Sequence, residues 1–286
     1  MIDGKVAGPP GFEPGTSGSE GHIPKAFIIR RIQEYRNWLV GAEAKHPRTV
    51  QDMVMHLKAA LRVAPPIITR EWLVSHLATL GDANRRNRLK AFRALDRWLG
   101  TKLTYGIKFG SVPFTMPKAP SDEAVSLLIQ RLEEPYNVFA GFLAVSGLRA
   151  GEARMLTPAH IDWRDRSVIL NAFRRTKRTG ITFITVQVAE ALKSLCGAED
   201  EPIFSFEKRT YQKAFRKTQT GVRAKDLRVW FAAKCLEAGV PPLYIDIMQG
   251  RAPKSVLARH YAPAGKETLK SWYSRVEPTF ENIIRL

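Results

Sequence analysis

Cysteine is nearly absent from this chain: 286 residues hold two, Cys196 and Cys235. Neither sits in a CxxC pair or beside a histidine cluster, which argues against a disulfide framework or a zinc site and leaves both as packing residues. No apolar run approaches the roughly 18 residues that a membrane-spanning helix needs, and no secretory leader pattern is visible. A soluble, cytoplasmic protein with no membrane partner is expected. Acidic residues are also few, 27 against 45 lysines and arginines, giving a net charge of +18 and a pI near 10.2. With 44% hydrophobic residues the chain can still build cores, and its length suits two modest domains. Excess positive charge on a folding chain points to a polyanion partner, nucleic acid above all.

Residues 1–24 are rich in Gly, Pro and Ser without apolar periodicity, which reads as a flexible tail. From Lys25 to residue 110 the pattern is helical. Ile28, Ile32, Tyr35 and Leu39 form one stripe. Thr49 would cap a second helix with Val50, Met53, Val54 and Leu57 inward, and Thr69 a third carrying Trp72, Leu73, His76 and Leu77. A fourth, about 83–99, sets Leu89, Phe92, Leu95 and Leu99 on one face, with Arg85, Arg86, Arg88, Lys90, Arg93 and Arg97 around the others. Such a helix suits a phosphate backbone, although a solvated charged face has the same pattern.

The proline-rich stretch 111–121 is expected to be a linker. From 122 to 286 the reading is mixed. Helices are expected at about 122–134 and 137–147; SVILNAF and ITFITVQV alternate like two strands around the turn RRTKRTG. A helix follows at 188–195, and the remainder is mostly helical, best seen in KDLRVWFAAKCLEAGV and PPLYIDIMQG. The fold class is therefore mainly α with a small antiparallel β-sheet.

Metal-free cleavage of a phosphodiester needs a nucleophile and fixed cations for the charge that develops on the phosphoryl oxygens. Arginine suits this because its planar fork donates two hydrogen bonds to one phosphate and stays charged. Arg149 follows an apolar helix that stops at Gly147, with Glu152 near enough to orient it. Lys225 and Arg228 are three apart on one helical face, with Leu227, Trp230, Phe231 and Leu236 as core. Arg251 precedes Tyr261 by ten residues. Each context taken alone also fits an ordinary helix terminus or amphipathic helix, and Tyr211, Tyr244 and Tyr273 are equally tyrosines. The turn Arg174, Arg175, Thr176, Lys177, Arg178 stands at the tip of the expected hairpin, where it either enters a DNA groove or merely solubilises.

Taken in order, an arginine after a GLR turn, a lysine in a hairpin, K-x-x-R, then Arg251 and a tyrosine ten later resemble the catalytic domain of the tyrosine recombinases. KDLRVWFAAKCLEAG is similar to the HxLRHTFAxxLLxxG form of that family. The resemblance covers roughly 120–265, and the helical 25–110 region has the character of the family's core-binding domain. Lys225 stands where most members have histidine, and Arg251 where they have histidine or tryptophan. These replacements resemble the archaeal, fusellovirus-type branch. A protonated amine has no acceptor, so at that position Lys225 would be mainly a cationic donor, in place of a general base.

The resemblance implies a site-specific integrase in which Tyr261 forms a 3′-phosphotyrosyl bond. Arg149, Arg228 and Arg251 would hold the phosphate, Lys177 (or Arg174 or Arg175 in its stead) would protonate the leaving oxygen, and Lys225 would assist. It further implies double-stranded DNA as partner, with Arg85, Arg86, Arg88, Lys90, Arg93, Arg174, Arg175 and Arg178 as DNA contacts. The protein would be a homotetramer on DNA and a monomer or dimer when free, with no metal or cofactor, working at the nucleoid of a host cell that carries a virus or plasmid. The segment from 266, with Leu269, Trp272, Val276, Phe280 and Ile284, resembles the family's C-terminal part that docks on a neighbouring protomer; an ordinary closing helix is the alternative. A resolvase of chromosome or plasmid dimers, a type IB topoisomerase and a decayed DNA-binding protein remain open.

The peptide from Pro10 to Gly15, PGFEPG, back-translates to CCN GGN TTY GAR CCN GGN. CCNGG at one end pairs with CCNGG at the other and leaves the loop N-TTY-GAR. With TTC and GAA, the opposite strand of that loop reads TTCGAAN, as in the T-loop of a transfer RNA gene. The expectation is that residues 10–15 are encoded by an attachment site.

Overall fold

The computed structural model describes residues 22–110, 116–169, 180–251 and 265–286. The described residues fall into two compact units, with the break between Thr115 and Met116.

In the N-terminal unit, strand β1 (Ile23–Pro24) pairs antiparallel with β2 (Ile67–Ile68). Around them lie helices α1 (Lys25–Arg30), α2 (Ile32–Gly41), α3 (Pro47–Leu61), α4 (Arg70–Ala78) and α5 (Asp82–Leu99). The stripe Ile28, Tyr35, Leu39 is buried, but it spans two helices that meet at Arg31. Thr69 caps α4, accepting from the Trp72 N–H at 3.2 Å. Thr49 does not cap α3. Pro47 supplies the first turn, where its missing N–H costs nothing, and the ring of His46 accepts from the Arg48 N–H. Helix α5 packs on α3 and buries Leu89, Phe92 and Leu95 completely. It ends at Gly100 in the left-handed region (φ 69°). In its last turn, buried Asp96 accepts from Thr101, Thr104 and the Leu103 N–H just past the helix end.

In the C-terminal unit, α6 (Asp122–Arg131), α7 (Tyr136–Ser146), α8 (Ala150–Ala153), α9 (Val186–Leu195), α10 (Lys208–Lys217), α11 (Ala224–Glu237), α12 (Pro242–Met248), α13 (Lys266–Tyr273) and α14 (Glu277–Ile283) accompany a three-stranded antiparallel sheet. Its order is β3 (Ile161–Asp162), β4 (Ser167–Ile169), β5 (Ile181–Phe183), with Val168 opposite Thr182. Helix α7 is apolar on nearly every side and becomes the buried axis. It packs against α6, α9, α11 and α14.

Several local expectations are corrected. The second strand stops at Phe183, because Thr185 caps α9 and turns Val186–Val188 into helix. Helix α6 ends at Arg131, short of the Glu133–Glu134–Pro135 run. Leu236 is 54% exposed, while Leu227, Trp230 and Phe231 are in the core. The C-terminal anchors Leu269, Val276, Phe280 and Ile284 are buried in this chain's own core, and the Tyr273 hydroxyl donates to the Val145 carbonyl at 3.1 Å. The segment packs as a closing part of its own unit.

Candidate active site

The site begins where α7 stops. Gly147 takes φ 65° and caps the helix; a Cβ there would lie 2.4 Å from Cδ1 of Phe231, so only glycine lets α11 approach this closely. Two residues later Arg149 opens α8. Glu152 closes a capping box on it: one carboxylate oxygen accepts from the Arg149 N–H at 3.0 Å, the other from its guanidinium at 2.7 Å. Glu152 also lies 4.0 Å from Arg228. Burial pushes the Glu152 carboxyl up, but the hydrogen bonds from Arg149 and the charges of Arg149 and Arg228 outweigh it and hold the group below the usual carboxylate range.

Helix α11 starts at Arg223, whose side chain forms a two-bond fork with Asp226 at 2.8 and 3.0 Å. One turn further in, Arg228 is only 8% exposed. Its guanidinium donates to the Gly147 carbonyl at 2.8 Å and to the Gln249 carbonyl at 2.7 Å. Burial, reinforced by the charges of Arg149 and Arg251, pushes its pKa down to about 9. The charges of Glu152 and Asp246 act the other way but do not outweigh burial and the two neighbouring cations, and a phosphate would bring further negative charge to the cluster.

Arg149, Lys225 and Arg228 line one cavity of about 1040 Å³. Lys225 is exposed at its mouth. Arg251, just past α12, is half exposed and paired with Asp246 at 3.1 Å. It lies two residues from the Gln249 carbonyl that Arg228 holds. Lys177 and Tyr261, with Arg174, Arg175 and Arg178, lie outside the described residues. The glycine that follows the hairpin turn is described, however: a Cβ on Gly180 would come within 2.7 Å of the Ile247 carbonyl and 2.8 Å of the Gly250 Cα. The returning arm therefore passes tightly against the end of α12, next to Arg251.

Sequence reasoning missed the opposite wall. Lys208, Gln212 and Arg216 of α10 line the same cavity, spaced one helical turn apart in KRTYQKAFRK, a signal open to reading from the spacing alone. Gln249, fully buried, was also missed, and nothing in its local sequence singles it out. Tyr211 and Tyr273 are core residues. In the N-terminal unit, Arg85, Arg86 and Arg88 are half-buried on α5, and Lys90 is exposed. Arg88 contacts His76 at 3.2 Å. Arg93 is engaged internally: it donates to the Ile107 carbonyl at 2.6 Å and lies 4.0 Å over the Phe109 ring.

The sequence profile of the archaeal phage integrases matches residues 119–279, the stretch that contains every wall of this cavity. The chain belongs to the archaeal phage integrase family. The integrase is thus a site-specific DNA recombinase of the tyrosine class. Its fold is similar to that of lambda integrase, solved as a tetramer bound to a Holliday junction, at 14% identity and a TM-score of 0.64 over 83% of this chain and 77% of that one. It is also similar to the Tn1549 transposon integrase in complex with transposon right end DNA, at 14% identity and a TM-score of 0.52, covering 88% and 99%. No curated protein matches the integrase in sequence.

Proposed function

We propose that the integrase inserts a viral or plasmid genome at a transfer RNA gene, cutting double-stranded DNA with Tyr261. The observation that carries this reading is the convergence of Arg149, Lys225 and Arg228 on one cavity. In this reading Arg149, Arg228 and Arg251 hold the non-bridging oxygens of the scissile phosphate. The surrounding charge eases ionisation of the Tyr261 phenol, whose ordinary pKa is about 10. Its oxygen attacks phosphorus, the bond to the 5′ oxygen breaks, and Lys177 supplies the proton to that oxygen while Lys225 donates to the phosphate. One phosphoester is exchanged for another, so rejoining to a new strand needs no external energy source.

The N-terminal helical unit with Arg85, Arg86, Arg88 and Lys90 of α5, and Arg174, Arg175 and Arg178, would grip the duplex, and Lys208, Gln212 and Arg216 would extend that grip beside the cut. The DNA-bound forms of the lambda and Tn1549 integrases support DNA as partner, and the lambda tetramer supports assembly as four protomers on two sites. Residues 10–15, read as attachment-site code, support a transfer RNA gene as target. The test is a labelled, nicked duplex carrying a T-arm sequence, incubated with wild type and Tyr261→Phe. A covalent protein–DNA adduct with wild type only is expected; tight binding with no adduct from wild type overturns the catalytic reading. TTT or GAG codons at Phe12 or Glu13 overturn the attachment-site reading.

A further inference from the structure

Gln249 is fully buried, unusual for a glutamine unless its amide is needed. It caps the C-terminus of α12, directly before Gly250 (φ 63°) and Arg251. Its amide nitrogen donates to the Arg228 carbonyl at 2.9 Å, while its own carbonyl accepts from the Arg228 guanidinium at 2.7 Å. The two residues thus clasp each other from both sides, joining α11 to α12. The amide orientation is set by this pairing, since a flipped amide would oppose two carbonyl oxygens. The amide oxygen finds no partner among the described residues, a cost that a leucine of similar size would avoid, so what the amide contributes here is its N–H bond to Arg228.

We propose that Gln249 is a positioning residue, holding the Arg228 backbone and guanidinium in the register that presents the cation to the scissile phosphate and keeping Arg251 beside it. The inference rests on Arg228 holding that phosphate, as proposed above. It predicts a residue whose loss spares binding and folding but slows chemistry, because small misplacement of a reacting group costs large factors in rate.

The experiment compares wild type, Gln249→Leu, Gln249→Met and Arg228→Lys in the full chain. Adduct formation is followed at saturating protein on the nicked T-arm duplex and on a supercoiled plasmid carrying the gene. Both Gln249 variants are expected to react about 10- to 100-fold more slowly, to bind DNA within about 2-fold of wild type, and to melt within about 4 °C of it. In the Arg228→Lys background, Gln249→Leu should add less than about 2-fold. A wild-type rate in both variants overturns the inference, as does a slowing that adds in full to that of Arg228→Lys, or loss of the melting transition in both. A wild-type rate in Arg228→Lys overturns the reading of Arg228 itself. Failure of wild type on both substrates removes both readings.

Discussion

The Arg228 guanidinium donates to the Gly147 carbonyl at 2.8 Å, across 81 positions of sequence. That bond ties the end of the buried helix α7 to the helix that brings Lys225 and Arg228 to the cavity. It exists because Gly147 has no side chain to hold Phe231 away.

Gly147→Ala is expected to loosen this junction. Alanine in the left-handed region costs about 1–2 kcal/mol, and its methyl would overlap the Phe231 ring. A loss of about 2 kcal/mol or more should lower the melting temperature by roughly 4–8 °C, measured by thermal unfolding. Adding Phe231→Leu should recover only the steric part.

Acid should unlock Arg149. The Glu152 carboxyl is held below its ordinary value of 4.5. A depressed carboxylate contributes stability that is complete above the unfolded value and is lost as pH falls through the folded one. Wild type should therefore lose stability below about pH 4.5 more steeply than Glu152→Gln, with the variant about 1 kcal/mol less stable at pH 7. Parallel pH–melting curves would show that the contact with Arg149 contributes nothing.

If α10 follows the DNA backbone, Lys208→Ala and Arg216→Ala should each weaken binding on any sequence. Each should also reduce the slope of log affinity against log salt by about 0.9. Titrations at several salt concentrations read this directly, and unchanged slopes would remove α10 from the interface.

The α5 cations should divide into two kinds. Arg93→Ala should cost the N-terminal unit about 1 kcal/mol, through loss of its bond to Ile107, with the salt slope unchanged. Lys90→Ala, exposed, should lower the slope by about 0.9 and leave melting alone. The reverse result would make Arg93 a DNA contact.

Periodicity alone made much of this protein legible. The stripe ending in Leu39, the basic helix closing at Leu99, the apolar α7 and the cap at Thr69 all follow from local spacing and the hydrogen-bonding needs of helix ends. So do the two cations of K-x-x-R and the turn that presents Arg149. Capping competition was harder to read. His46 with Pro47 displaces Thr49, and Thr185 converts an alternating run into helix, because the same residues satisfy either pattern and neighbours settle the choice.

By itself, then, the sequence determined where helices could form, how much positive charge the chain carries and which residue types are available for phosphate chemistry. Only the tertiary structure decided that Arg149, Lys225 and Arg228 share a cavity with α10, that Gln249 clasps Arg228, and that the C-terminal helices close their own unit. Those relations join positions tens of residues apart. They arise because buried carbonyls at Gly147 and Gln249 must find donors and the gap at Gly147 must be filled by Phe231.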